Sequence, residues 1–238
     1  MSPLHATASA LVAELAELTP ATAIALLADR FRGRIALVSS FGAEAAVLLH
    51  LVARADPSLP VLFLDTGKLF PETLAYRDRL VRRFGLRDVR SLRPDPAAIA
   101  ARDPIGGLFA ADPDACCALR KVAPLGAALA AFDVWLNGRK RAHGAGREAL
   151  PLVEAVDGRL KVNPLLDWDA ATLAAYARTY DLPPHPLTEQ GYASIGCIPC
   201  TSPVTAGEAS RAGRWRGSGK SECGIHDRPL TSPHARTD

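Results

Sequence analysis

The sequence predicts an α/β fold, in which an open, mostly parallel sheet carries helices on both faces. The main observation is that short apolar runs alternate with longer amphipathic segments between Ile35 and Leu136. A second observation is that 48% of the 238 residues are hydrophobic and 22% are charged, so the chain can bury a substantial core. A loop-rich C-terminal segment is expected to follow this fold, because turn-forming residues dominate from Pro183 onward.

The predicted elements follow one another along the chain. An alanine-rich amphipathic opening from Ala8 to Leu27 predicts one or two helices. Apolar runs predict strands at 35–38, 61–64, 88–92, 132–136 and 160–162. Amphipathic segments predict helices at 43–55, 71–84 and 169–180. Several breakers between 94 and 113 predict a loop, followed by a helix that begins near Asp114.

These elements predict three regions. Residues 1–30 form an N-terminal helical segment, residues 31–205 form the α/β domain, and residues 206–238 form a flexible C-terminal segment that carries Cys223. The chain shows neither a secretory signal nor an apolar stretch long enough to span a bilayer, which predicts a cytoplasmic protein without membrane contact. A net charge of +3 favours a small anion over nucleic acid as the partner.

Two strand ends suggest a nucleotide site. Residues Ser39, Ser40, Phe41 and Gly42 follow the first strand and open a helix, where backbone N–H groups can hold an oxyanion. The next strand ends in a second polar group, made by Asp65, Thr66 and Gly67. Since both ends lie at the carboxyl edge of one sheet, we expect them to meet a nucleotide. Taken separately, each group is equally compatible with an ordinary turn.

Four of the five cysteines have the pattern of metal ligands. Cys116 and Cys117 are adjacent, and Cys197 and Cys200 lie in a short Gly-Cys-Ile-Pro-Cys turn. An odd number of cysteines in a reducing compartment indicates metal binding or thiol chemistry more than disulfides. The adjacent pair favours a cluster of several irons over zinc, which more often takes two C-x-x-C knuckles. Buried free thiols and a redox-active C-x-x-C remain alternatives.

The fifth cysteine, Cys223, has the features of a nucleophile. It lies in a polar Glu-Cys-Gly-Ile-His sequence near basic residues, which stabilise a thiolate. Arg211 and Arg214 would share one face of a helix, and Lys121 could add a third charge beside a bound sulfate or phosphate. Arg139 and Arg141 follow the 132–136 strand and could also reach a phosphate. The alternative is that these cations form a solvated basic surface.

Taken together, these motifs resemble those of the sulfonucleotide reductases, and most closely those of the cluster-containing adenosine 5′-phosphosulfate (APS) reductases of sulfate assimilation. The resemblance runs from about Ile35 to His226. Its motifs are Ser-Ser-Phe-Gly-Ala-Glu, Leu-Asp-Thr-Gly, Cys-Cys-x-x-Arg-Lys-Val-x-Pro-Leu, Gly-Tyr-Ala-Ser-Ile-Gly-Cys-Ile-Pro-Cys-Thr and Glu-Cys-Gly-Ile-His.

The resemblance implies an adenine nucleotide alpha hydrolase-like fold, related to the PP-loop enzymes. It implies a [4Fe-4S] cluster on Cys116, Cys117, Cys197 and Cys200 and catalysis by Cys223. It also implies a thioredoxin or glutaredoxin-like electron donor, and substrate contacts from Lys121, Arg211, Arg214 and His226. One departure is that Arg139-Lys140-Arg141-Ala142-His143 lacks the Gln-Ser that many relatives carry after the arginines.

Several alternatives remain at this stage. Family members that reduce the 3′-phosphorylated substrate (PAPS) commonly lack the four cluster cysteines, so the resemblance favours APS, although some cluster-bearing members accept both. A PP-loop ATP-dependent thiolation enzyme would have a Ser-Gly-Gly-x-Asp-Ser loop where this chain has Ser39-Ser40-Phe41-Gly42. A non-enzymatic iron-sulfur sensor would leave Cys223 without a role. A homo-oligomer is compatible with the sequence.

Overall fold

A six-stranded sheet forms the centre of the protein, seen in a computed structural model that describes residues 3–144, 146–218, 220 and 222–227. In chain order, the strands are β1 (Ile35–Ser39), β2 (Val61–Leu64), β3 (Val89–Leu92), β4 (Val134–Leu136), β5 (Val153–Val156) and β6 (Arg159–Val162). Their spatial order is β3-β2-β1-β4-β6-β5. All neighbouring strands are parallel except β5 and β6, so the predicted open, mostly parallel sheet is confirmed.

Ten α-helices are described within these ranges, several of them beginning with proline in the first turn. They are α1 (Pro3–Leu15), α2 (Pro20–Arg30), α3 (Ala45–Ala55), α4 (Pro71–Phe84), α5 (Pro96–Arg102), α6 (Leu108–Ala111), α7 (Pro113–Cys117), α8 (Ala123–Leu129), α9 (Ala170–Thr179) and α10 (Gly224–Asp227). One turn of π-helix, Ala118–Val122, joins α7 to α8.

The helices cover both faces of the sheet, as the sequence predicts. Helices α1, α2, α3, α4 and α9 contribute to the larger apolar cluster, which meets Ile35 and Leu37 of β1. Helix α8 packs on the opposite face, where Ala36 and Val38 of the same strand point. Successive side chains of a strand point to opposite faces. Because helices cover both faces, all five residues of β1 are buried.

One sequence prediction for local structure is wrong, and one strand is missing from the prediction. The predicted loop at 94–113 contains the short helices α5 and α6, and the first of them has a clear start signal. The Asp95 side chain accepts a hydrogen bond from the N–H of Ala97, and Pro96 occupies the first turn. Strand β5 was not predicted, because it is a short edge strand that is largely only half-buried and has little apolar periodicity.

The direction of strand addition reverses between β1 and β4. From β1 the chain adds β2 and β3 on one side, and then returns to place β4 and β6 on the other. Such a reversal opens a crevice at the carboxyl ends of the two central strands, where ligands of open α/β sheets bind. The segments that follow β1 and β4 therefore face a common cleft.

Within the described ranges, no helix combines the length and apolar character needed to cross a membrane. The predicted division at residues 30 and 205 stays a prediction. So does the flexibility of 206–238, whose last part, 228–238, lies outside the described residues.

Candidate active site

A cavity of about 230 Å³ occupies the crevice between β1 and β4. Its walls come from the segment after β1, the segment after β4, the 193–197 turn, and the chain between Ser210 and His226. The backbone of the first segment packs against this turn, because a Cβ on Gly42 would stand 3.1 Å from the carbonyl oxygen of Ile195. Four distant parts of the sequence therefore meet around one space.

Most of the predicted substrate-binding residues line this cavity, together with the predicted nucleophile. They are Ser39, Ser40, Gly42, Thr66, Lys121, Arg139, Arg211, Arg214, Cys223 and His226. One predicted metal ligand, Cys197, also lines it.

Four predicted substrate-binding residues lie outside the cavity wall. Phe41 is fully buried, and its ring packs edge-on against Phe63 in the core. The carboxylate of Asp65 accepts hydrogen bonds from Arg93 (2.9 Å) and the N–H of Gly67 (3.3 Å), and so makes a turn. Arg141 donates to the carbonyl of Leu150 and to the Asp167 carboxylate. Contacts within the protein, and not with the cavity, are therefore made by Phe41, Asp65, Gly67 and Arg141.

Cys223 is partly buried beside α7 and the π turn. A Cβ on Gly224 would be 3.4 Å from Val122 and 3.8 Å from the Cβ of Cys117, so the chain passes close to both. Further along α10, the His226 ring is parallel to the Trp135 ring at 6.3 Å. A hydrogen bond from the Cys117 thiol is the largest effect that lowers the pKa of Cys223, and it would be lost if Cys117 were to bind iron. The charges of Lys121 and Arg214 lower the same pKa against burial and do not depend on the state of Cys117. Both cations therefore favour the thiolate form of Cys223.

Lys121 is the buried cation that faces this thiolate. Burial by itself would lower the pKa of Lys121, but the nearby sulfur groups, Cys223 first among them, outweigh it and raise that pKa. Its position depends on the π turn, in which the N–H of Ala123 donates to the carbonyl of Ala118. Turns of this kind occur often at functional sites.

The other four cysteines converge on the same region. Burial raises the pKa of Cys116, and the nearby Cys197 and Cys200 raise it further. The two cysteine-bearing segments therefore lie close together. The Cys197 sulfur lies 3.2 Å from the Thr66 hydroxyl at the end of β2. In the described part of the chain, no group of three or more His, Cys, Asp or Glu side chains is arranged to hold a single metal ion. Four thiolates are a donor set that an iron-sulfur cluster or zinc could take.

A strap formed by residues 210–216 folds back over the Cys197–Cys200 turn. Thr201 and Arg214 form an antiparallel bridge, and the N–H of Ser202 donates to the carbonyl of Gly213 at 2.8 Å. The Arg214 guanidinium donates to the carbonyl of Cys200 and lies directly over Gly196. A Cβ at position 196 would overlap that guanidinium, so glycine is needed for this close approach. The strap places an arginine between the thiols and the cavity.

Comparison with known proteins identifies the family. The model of the phosphoadenosine phosphosulfate reductase domain matches residues 34–203. The chain belongs to this family. The matched range contains the four converging cysteines and the segments after β1 and β4, and it ends before Arg211 and Cys223.

Individual members of the reductase family are similar to this chain over most of its length. Adenosine 5′-phosphosulfate reductase of Mesorhizobium japonicum is 52% identical over 83% of this chain and 78% of that protein. Phosphoadenosine 5′-phosphosulfate reductase of Gloeobacter violaceus is 39% identical over 88% of this chain and 89% of that protein. The crystal structure of Candida auris phosphoadenylyl-sulfate reductase in a phosphate complex is 25% identical, with a TM-score of 0.69, over 86% of this chain and 98% of that one.

Sequence reasoning missed two residues of this reductase site, Arg147 and Glu222. Both line the cavity, where the Nε of Arg147 donates to the Glu222 carboxylate at 2.7 Å. Their separation of 75 positions leaves no local signal that they pair. Arg147 could have been noticed as a basic residue in the glycine-rich segment after Arg139. Glu222 could have been noticed as the residue that precedes the nucleophile.

A polar network continues from Arg147 to the start of α3. Nη1 of Arg147 donates a hydrogen bond to Nδ1 of His143. The hydrogen of the neutral His143 ring is therefore on Nε2, which donates it to the Glu44 carboxylate at 2.9 Å. Lys140 forms an ion pair with the same carboxylate at 2.8 Å. Burial would raise the pKa of Glu44, but His143 and Lys140 lower it to about 2. Residues 139–143, which differ from the pattern of many relatives, therefore make contacts within the protein around the cavity.

Proposed function

We propose that this reductase converts APS to sulfite and AMP with electrons from thioredoxin or a glutaredoxin-like protein. The observation that supports it most is the position of Cys223, which lines the same cavity as Lys121 and Arg214, two cations that favour its thiolate form. Cations there neutralise the charge of a sulfate that would otherwise repel a thiolate. The name of the Mesorhizobium relative supports the same substrate. A cytoplasmic location would suit this thiol chemistry.

The proposed chemistry has two steps. The Cys223 thiolate attacks the sulfur of the bound sulfate, a sulfur–sulfur bond forms, and the sulfur–oxygen bond to AMP breaks with its electron pair leaving on AMP. A thiolate of the electron donor then attacks the Cys223 sulfur, sulfite leaves with the electron pair, and the second donor thiol resolves the mixed disulfide. The cations Lys121, Arg147, Arg211 and Arg214 would hold the anionic groups during the first step.

Substrate choice is tested by comparing turnover of the two sulfonucleotides. With thioredoxin present, we expect kcat/KM for APS to exceed that for PAPS by about 100-fold, because a 3′-phosphate needs its own charge partner. Release of sulfite measures both reactions. Faster turnover of PAPS would favour the function named for the Gloeobacter relative. Conversion of ATP to AMP without sulfite would instead indicate a PP-loop thiolation enzyme, and the absence of any turnover would favour a sensor.

We further propose that Cys116, Cys117, Cys197 and Cys200 hold a [4Fe-4S] cluster. When bound, the cluster would supply electrostatic and structural support for the two cysteine-bearing segments. Protein purified without oxygen should absorb broadly in the visible range and contain about four irons per chain. Cys200→Ser should lose most of this iron and absorbance, whereas Cys223→Ser should keep both. A colourless protein that contains zinc would contradict the assignment.

A further inference from the structure

Glu222 occupies the centre of the cationic wall next to the nucleophile. One carboxylate oxygen accepts hydrogen bonds from Nε and Nη2 of Arg147, and the other accepts from Nη2 of Arg211 at 3.3 Å. That second oxygen also accepts the backbone N–H of Cys223 at 2.9 Å. Glu222 therefore uses the same donors that an anion in the cavity would need.

The Nε and Nη2 side of the Arg147 guanidinium is engaged in this arrangement. Its Nε and Nη2 both approach the same oxygen of Glu222, and its Nη1 donates to His143. Bidentate pairing is the way in which arginine holds sulfate or phosphate most effectively. An incoming tetrahedral anion can take this side of the guanidinium only after the Glu222 carboxylate has left it.

Glu222 is a real competitor because it carries a negative charge in a buried position. Its side chain is 13% exposed and that of Arg147 is 8% exposed. Burial would raise the pKa of Glu222, but Arg147 and Arg211 outweigh this effect and lower it, so the carboxylate is ionised at neutral pH. Among the described residues that line the cavity, the other acidic side chain is Glu44, and it is bound to Lys140 and His143.

We propose that Glu222 is an internal substitute for the substrate's anionic group, so that Arg147 and Arg211 hold either this carboxylate or the sulfate or phosphate of the ligand. This proposal takes the class of anion, a sulfate or phosphate group, from the proposed function. When the ligand displaces the carboxylate, the N–H of Cys223 also loses its acceptor. Glu222 thereby sets the affinity of the site for anions and links anion entry to the placement of the nucleophile.

Titration of the full-length protein with inorganic phosphate tests this competition. In Glu222→Gln the neutral amide competes poorly, so we expect phosphate to bind about tenfold more tightly than in the wild type. Glu208→Gln is the matched control: it makes the same change in net charge, but Glu208 pairs with the exposed Arg216 away from the cavity. It should bind phosphate as the wild type does. Glu222→Asp, which keeps the charge, should bind phosphate more weakly than Glu222→Gln.

The direction of the change separates competition from a structural role. If Glu222 only holds the segment in place, Glu222→Gln will bind phosphate no tighter than Glu208→Gln, and this result would overturn the proposal. Hydrogen exchange gives a second measurement on a peptide that contains Glu222 and Cys223. Phosphate should raise exchange there in the wild type and change it little in Glu222→Gln. Because phosphate binding needs no turnover, a failure of APS reduction would not be mistaken for a failure of this proposal.

Discussion

Replacement of Cys223 by serine should lower sulfite production by about four orders of magnitude or more, because a neutral hydroxyl lacks the nucleophilicity of the thiolate. The positions of Lys121 and Arg214 do not depend on this sulfur, so binding of the nucleotide should change little. Turnover with APS and thioredoxin measures the first effect, and titration with AMP measures the second. The expected result is thus a large loss in kcat with a nearly unchanged dissociation constant.

The covalent intermediate gives a direct control for that result. Incubation with sulfur-35-labelled APS, without a reductant, should place the label on the peptide that contains Cys223. No label should remain on the Cys223→Ser protein. Label that persists on the variant, on this peptide or on another cysteine, would show that Cys223 is not the acceptor. Release of the label by reduced thioredoxin would support the second step.

Replacement of Gly213 by alanine should disrupt the strap and reduce both stability and activity. A Cβ at this position would overlap the carbonyl oxygen of Ser202 and stand 3.3 Å from the side chain of Val204. The overlap involves backbone, which cannot move aside as a long side chain can, so the cost should approach the upper end of the range for overpacking, about 3 kcal/mol. For a chain of this size, that cost corresponds to a fall in Tm of roughly 6–12 °C.

Activity should fall along with stability in the Gly213→Ala variant. Arg214 follows directly in the strap, and a displacement of about 1 Å commonly costs about 100-fold in rate. Thermal unfolding and kcat/KM for APS measure the two effects. Gly107→Ala is a suitable control, because Gly107 has a negative φ and a Cβ there would make only ordinary van der Waals contact with Ile105. Equal behaviour of the two variants would show that the strap is not tightly packed against the Cys197–Cys200 turn.

The central sheet was predictable because its strands have unambiguous local patterns. β1 and β2 are buried on both faces and therefore appear in the sequence as uninterrupted apolar runs. β5 lacks such a run, since most of its residues are only half-buried. Helix α5 did have a local signal in Asp95 and Pro96, but the breakers that surround it masked the signal. Short helices and strands that depend on tertiary contacts are therefore the elements that local sequence patterns predict least well.

The positions of the candidate site residues were easiest to predict for rare residues in compact motifs, whose roles stay predictions. The cysteines, Lys121 and Arg214 belong to such motifs, and the structure brings them to one region. Arg147 and Glu222 form their ion pair across distant parts of the chain, and charged residues are too common for their pairing to be inferred from spacing. The opposite case is shown by Asp65 and Arg141. Both follow strands that end near the cavity, but Asp65 pairs with Arg93 and Arg141 pairs with Asp167.

The π turn at Ala118–Val122 makes the length of this segment as important as its composition. Each residue of an α-helix rotates the direction of the next side chain by about 100°. A chain one residue shorter between Cys117 and Pro124 could continue as a regular α-helix, with α8 still packed on the sheet. The adjacent thiols would then turn by about a quarter of a revolution relative to the cavity, although every chemically important residue would be present. A single deletion could thus separate the two cysteines from their partners without removing any of them.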